Sequence, residues 1–180
     1  MDNLLDLIKS RRSVRNFEDK DVPENLMQTI LESVQWSQSW ANTQCWEIVV
    51  VKDPAIREKL QGAVPKANPA HKSVVDAPVV LALCAKKESS GYYKGLVTTK
   101  FGDWFMFDIG LAAQHISLTA HSLGLGTVII GLFDHDQAKV VLNIPVEYEL
   151  VALMPLGFPS KIPSPPKRRL INEFVHVNTF

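Results

Sequence analysis

The sequence carries no excess charge. Its 180 residues hold 19 basic and 19 acidic side chains, for a formal net charge of zero. A global positive field for gripping nucleic acid or an anionic membrane is therefore absent, and neither partner is expected. Cysteine is scarce too. Cys45 and Cys84 are the only two, 39 positions apart, and they form no C-x-x-C pair or disulfide framework. Both lie in or beside apolar runs and read as buried free thiols, which suits a reducing, cytoplasmic location. No run of about 18 apolar residues occurs, so no membrane-spanning helix is expected. The first thirteen residues place acids before bases and hold only a short apolar stretch, unlike a secretory signal.

Familiar chemical motifs are also missing. There is no P-loop, no H-E-x-x-H and no G-x-S-x-G elbow. The five histidines, His71, His115, His121, His135 and His176, show no metal-ligand spacing, so no metal is expected. Gly124-Leu125-Gly126 follows a helix and precedes a strand, the reverse of a dinucleotide fingerprint, and reads as a helix stop. With no obvious nucleophile and no metal, the chemistry is expected to come from an organic cofactor.

The length suits one domain spanning residues 1–180, and 46% apolar residues suffice for a core. Periodicity predicts a short helix over 3–10, with Leu4, Leu5 and Ile8 on one side. Pro23 opens a second helix striped by Leu26, Ile30, Leu31 and Val34. Residues 37–45 read as a loop, Trp46 to Val51 as a strand and Pro54 to Leu60 as a helix. Residues 61–76 read as loop or weak helix, and Ala77 to Ala85 as a central strand. Residues 88–99 form a polar insert. The strongest helix, Asp103 to Leu123, is apolar nearly all round and belongs inside a domain or at a subunit interface. Gly126 to Ile130, Asp134 to Leu142 and Glu149 to Leu156 read as strand, helix and strand. After Gly157 come Pro159, Pro163, Pro165 and Pro166, so no regular element fits there. Phe174 to Val177 could pair as an edge strand.

Neutrality hides two basic clusters. Lys9, Arg11, Arg12 and Arg15 stand together without an acid, as do Lys161, Lys167, Arg168 and Arg169. These segments hold 8 of the 19 basic residues. Guanidinium forks match phosphate oxygens, and Ser13 adds a hydroxyl. Two such clusters meeting in space would bind a phosphate ester. Solvated charge at a helix C-terminus accounts equally well for the first cluster, and composition leaves both readings open.

Five segments in order resemble the FMN-dependent nitroreductase family. Arg11-Arg12-Ser13-Val14-Arg15-Asn16-Phe17 looks like its opening signature. Ser39 to Trp46 resembles its S-x-x-N-x-Q-P-W motif, with Cys45 in place of the proline. Asp76-Ala77-Pro78 precedes an apolar strand, and Leu123 to Thr127 closes the long helix. Gly157-Phe158-Pro159 with Pro165 to Arg169 is similar to the closing segment.

The resemblance implies an α+β fold with a mainly antiparallel sheet flanked by helices. It implies a homodimer with the long helix at the interface, a C-terminal strand exchanged between subunits, and FMN sites between them. Arg11, Ser13, Lys167 and Arg169 would hold the phosphate, with Arg12 adjacent and Arg15 near the ring's N1/O2 edge. A cation there favours the anionic reduced flavin. Ser39, Trp40, Asn42 and Gln44 would come from the partner subunit. Ile129, Ile130 and Gly131 would lie behind the ring, with a backbone N–H near N5. Asn68 and Lys72 are further candidates. Trp40, Tyr92 and Tyr93 could line a substrate pocket, and no side chain is assigned as the acid or base.

The implied activity is ping-pong hydride transfer from NADH or NADPH, through flavin N5, to a nitroaromatic, quinone or other electron-poor small molecule. The same resemblance admits reductive dehalogenation, enoyl-type reduction, flavin fragmentation, or an FMN-binding redox sensor with little turnover. Cys45, with no basic neighbour in its motif, reads as packing rather than catalysis.

Overall fold

A computed structural model describes residues 3–180. Helix α1 (Leu4–Ser10) is followed by an extended segment and α2 (Glu24–Gln35). A single 3₁₀ turn (Trp40–Asn42) leads into β1 (Trp46–Val51), then α3 (Pro54–Ala63) and the short α4 (Ser73–Asp76). Next come β2 (Val79–Lys86), a small hairpin of β3 (Tyr92–Tyr93) and β4 (Leu96–Val97), and α5 (Phe105–Ser122). The chain continues through β5 (Gly126–Thr127), α6 (His135–Val141) and β6 (Tyr148–Gly157), with a 3₁₀ turn at Ile171–Glu173. The main sheet has the order β1-β2-β6-β5, and every pairing in it is antiparallel. This is the expected α+β class.

Strand alternation divides the core between the two sheet faces. Val79, Leu81, Leu83 and Ala85 of β2 pack with Met27, Ile30 and Val34 of α2 and with Ile109, Ala112 and Ile116 of α5. Val80, Ala82 and Cys84 pack with Leu60 and Ala63 of α3 and Ala138 of α6. A strand covered on both faces must be apolar throughout, which is why β2 reads as an unbroken apolar run. Helix α5 is closed by a Schellman motif. Gly124 takes φ +76°, its N–H donates to His121 O at 3.1 Å, and Leu125 N–H donates to Ala120 O at 2.8 Å. Helix α6 is capped by Asp134, which accepts from Gln137 N–H at 2.9 Å.

Several expectations change. The apolar surface of α5 is only partly covered: Met106 and Phe107 stay exposed. The apolar side of α1 also stays open, at Leu4, Leu5 and Ile8. The insert is a hairpin turning at Lys94 and Gly95, both with positive φ, as a two-residue hairpin turn requires. The segment Gly126 to Ile130 pairs continuously only at Gly126–Thr127, with an isolated bridge from Ile130 to Leu153. The edge strand expected at Phe174 to Val177 does not form in the single chain. A strand needs a partner for its backbone groups, and residues 174–177 have no neighbouring sheet edge here. Residues 164–180 are exposed throughout. No helix among the described residues is long and apolar enough to cross a membrane.

Candidate functional site

The extended segment after α1 is stitched along one end of the main sheet. Ser13 bridges Thr127, and Phe17 bridges Pro159. Val14 N–H donates to Thr127 O at 2.9 Å, Glu18 N–H to Phe158 O at 2.9 Å and Ser160 N–H to Asn16 O at 3.1 Å. Two glycines permit this close approach. A Cβ on Gly126 would stand 2.5 Å from Val14 Cγ2, and one on Gly157 would stand 3.1 Å from Phe17 Cδ1 and 2.7 Å from Pro78 Cδ. Small residues at the sheet end thus fix where Arg11, Ser13 and Arg15 lie.

A cavity of about 240 Å³ opens there, lined by Arg11, Arg12, Ser13, Arg15 and Arg168 with Pro163, Ser164 and Pro166. Four arginines and no acid line it, and the Arg12 guanidinium donates to Lys9 O at 2.6 Å and Arg11 O at 2.8 Å. Burial, then repulsion from Arg168 and Arg12, pushes the Arg11 pKa below its ordinary value. Such uncompensated charge stores favourable energy for an anion, and guanidinium forks suit phosphate. The residues present therefore fit the phosphate of FMN.

The two basic clusters do meet, but through a different residue than expected. Arg168 lines the cavity. Arg169 turns away to the Glu173 carbonyl and carboxylate and lies over the Phe174 ring. Lys167 is exposed and outside the lining. The reason is local: in extended chain, successive side chains point to opposite sides.

Arg15 also lines a second cavity of about 370 Å³ with Asn16, Lys66, Asn68, Pro69, His71, Lys72 and Asp76. Its backbone is held from behind, where the buried Ser73 hydroxyl donates to Arg15 O at 3.0 Å. Asn68 and Lys72 are thereby brought beside the arginine cluster. Asn68 Nδ2 donates to Leu132 O at 3.2 Å, tying this loop to the segment after β5. In that segment Ile130 is buried and its N–H is already committed to Leu153 O at 2.9 Å. The exposed residues Ile129 and Gly131 carry the amides that remain candidates as donors.

Ser39, Trp40, Asn42 and Gln44 line neither cavity. They form a compact loop of their own, in which the Ser39 hydroxyl accepts from Gln44 N–H at 2.9 Å. Gln44 Nε2 donates to Asn42 Oδ1 at 3.3 Å. Ala41, Asn42 and Gln44 have φ of 46°, 56° and 48°. Each non-glycine residue in that region costs about 1 kcal/mol or more, so the loop must be held by its surroundings. Part of that hold is Asp108, completely buried in the first turn of α5, which accepts from Trp40 N–H at 3.0 Å. No motif pointed to Asp108. The available signal was the one acid in a long helix that has no other Asp, Glu, Lys or Arg.

Cys45 is buried and donates to Asp108 Oδ2 at 3.6 Å. Burial, reinforced by that carboxylate, pushes its thiol up to about 12, so it is no nucleophile at neutral pH. Tyr92 and the exposed Tyr93 stand on the hairpin and line neither cavity. No group of three potential metal ligands occurs among the described residues.

Known proteins show the same architecture and sequence pattern. The chain is 30% identical to a Thermus thermophilus protein named NADH dehydrogenase, over 84% of each chain. It is 29% identical to the NADPH-flavin oxidoreductase of Vibrio harveyi, covering all of this chain and 75% of that one. The crystal structure of a nitroreductase family protein from Clostridium novyi NT superposes with a TM-score of 0.78 at 27% identity, covering 88% of this chain and 86% of that one. The nitroreductase family model matches residues 8–158, from the last turns of α1 to the end of the sheet, and the chain belongs to the nitroreductase family.

Proposed function

We propose that the chain is an FMN-dependent oxidoreductase that draws electrons from NADH or NADPH and delivers them to a flat, electron-poor small molecule such as a nitroaromatic or quinone. The observation that carries this reading is the acid-free cavity of Arg11, Arg12, Arg15 and Arg168. Arg11, Ser13 and Arg168 would hold the phosphate. Arg15, shared between the two cavities, would present its charge toward the ring edge, with Asn68 and Lys72 beside it. When bound, FMN supplies reversible hydride acceptance at N5, which no side chain of this protein can provide. The protein's contribution is orientation and fixed positive charge. Donor and acceptor would use one pocket in turn, giving ping-pong kinetics.

The functional unit would be a homodimer. Three features support that. The ring loop 39–44 reaches neither cavity of its own chain. The outer face of α5 leaves Met106 and Phe107 exposed, and apolar patches of that kind mark interfaces. The tail exposes Ile162, Leu170, Ile171, Phe174 and Val175. A partner would supply the loop, cover the helix and receive the tail as an added strand.

The test is direct. The purified protein should be yellow and release FMN on denaturation. It should oxidise NADH or NADPH faster when a nitro or quinone acceptor is present, with parallel double-reciprocal lines. A colourless protein that takes up no added FMN would overturn this reading. Bound FMN without turnover would leave a flavin-binding protein rather than an enzyme.

A further inference from the structure

We infer that the Asp108 carboxylate is the positioning group of the ring loop, and that it couples this loop to the 88–104 insert so that both respond as one unit. The inference rests on the flavin reading above, which places the 39–44 loop against the ring. Asp108 is completely buried, and among the described residues no cation pairs with it. Three donors from two distant segments satisfy it instead. Trp40 N–H donates to Oδ1 at 3.0 Å. The Ser90 hydroxyl donates to Oδ2 at 2.6 Å, and the Cys45 thiol reaches the same oxygen at 3.6 Å. The N-terminal end of α5 adds a favourable field.

A buried carboxylate without a counter-ion is costly to leave partly satisfied, so each donor segment is held in place by the need of the others. The ring loop needs such a hold. Its other side-chain bonds close on itself, at Ser39–Gln44 and Asn42–Gln44, and they cannot fasten it to the body. Three of its residues have positive φ without being glycine. The insert is fastened at the same point. Ser90 is completely buried, and its carbonyl accepts from Trp104 N–H at 2.9 Å, which closes the base of the insert. The adjoining Gly91 has no room for a Cβ between Gly102 and Trp104. The hairpin with Tyr92 and Tyr93 therefore rises from a base that shares one carboxylate with the ring loop. Cys45 stands where the resembling motif has proline. Here it contributes a third donor, which a proline could not.

The experiment compares wild type, Asp108→Asn and Ser90→Ala. Amide hydrogen exchange is measured on the apo proteins, with FMN titration, thermal melting and the visible flavin spectrum alongside. Asparagine keeps the shape but gives up the charge and turns one acceptor into a donor facing Ser90. Exchange should rise by about tenfold in residues 39–45 and 88–104 together, and FMN affinity should fall by a similar factor. Ser90→Ala should show the same paired response, smaller. A merely structural role would lower Tm while leaving segment exchange, FMN affinity and the flavin spectrum as in wild type, and that result overturns the proposal. A rise in only one segment also overturns it. Should Asp108→Asn fail to fold, Ser90→Ala decides alone by the same two responses. A wild type that takes up no FMN removes the flavin reading, and apo exchange still decides whether Asp108 couples the segments.

Discussion

The segment Arg11 to Arg15 and the loop Ser39 to Gln44 would flank one ligand, yet they are built by opposite means. The first is extended chain laid on the end of a sheet. Backbone hydrogen bonds to Thr127 and Phe158 register it, and Val14 is wedged against Gly126. Its side chains carry charge that no acid in the cavity lining neutralises. The second is electrically neutral and backbone-strained, and a single buried acid outside it holds its start. One side presents side-chain charge from a relaxed backbone. The other presents peptide groups and short polar side chains from a backbone that cannot persist alone. In the proposed FMN site, charge would bring affinity for the phosphate, whereas strain and a buried carboxylate would bring shape for the ring. The two sides should therefore fail differently when mutated.

The largest loss is expected on the charged side. Arg11→Ala should weaken FMN binding by about 1.5–3 kcal/mol, the worth of a charge-assisted hydrogen bond, with little change in Tm. Arg168→Ala should follow it and Arg169→Ala should not. A titration by flavin fluorescence quenching separates the three, and equal losses for Arg168 and Arg169 would erase the distinction drawn from the cavity lining. Next comes Gly126→Ala. Its Cβ would stand 2.5 Å from Val14 Cγ2 and 2.6 Å from Val14 Cβ, so the segment must lift off the sheet. Stability should drop by about 1–3 kcal/mol, as in overpacked cores, and FMN affinity should fall with it, whereas Arg11→Ala affects affinity alone. Chemical denaturation read with the FMN titration tells the two apart.

On the strained side the change should be a gain. Ala41 has φ 46°, and Ala41→Gly should raise stability by about 0.5–1 kcal/mol by removing the left-handed penalty. Melting curves of the apo protein measure it, and a drop in Tm would mean that the loop is not strained. At neutral pH the thiols add no pH dependence of their own, and their response appears only in alkali. Cys45 and Cys84 are pushed from 9.0 to about 12, first by burial and then by nearby carboxylates. Between those values the unfolded thiols lose protons that the folded ones keep. Their contribution is present below pH 9 and is lost as pH rises toward 12. Stability should decline across that window, and less steeply in a variant with both cysteines replaced by alanine. Thiol alkylation at pH 8 should be slow until the protein is unfolded.

Apolar patterning made α2, α5, β1, β2 and β6 legible, as a stripe in α2 and as nearly continuous apolar sequence in α5 and β2. The unbroken apolar run of β2 already implied a central strand. The hairpin of Tyr92 to Val97 was hidden because strands of two residues have no period to detect, although Lys94-Gly95 was a usable turn signal. The short pairing of β5 was overestimated because an apolar run says nothing about how long its neighbour stays within reach.

The same division holds for the site. Basic clusters at either end of the chain were visible in the sequence, since charge is a property of composition. Which member of Lys167-Arg168-Arg169 faces the cavity depends on the phase of an extended segment, and only its path over the surface sets that phase. Cys45 could be read as packing, but its bond to Asp108 could not. Asp108 meets groups 68, 63 and 18 positions away, and no local rule spans those distances. The sequence by itself determined the main helices and strands and the two basic clusters, because these follow from apolar patterning and charge, while the fold class came through the resemblance to the nitroreductase family. The tertiary structure alone decided that Arg168 rather than Arg169 lines the cavity and that Asp108 meets the 39–45 segment. Burial and close approach arise only when distant segments pack, and they are what give one charge in a cluster, or one carboxylate in a helix, its role.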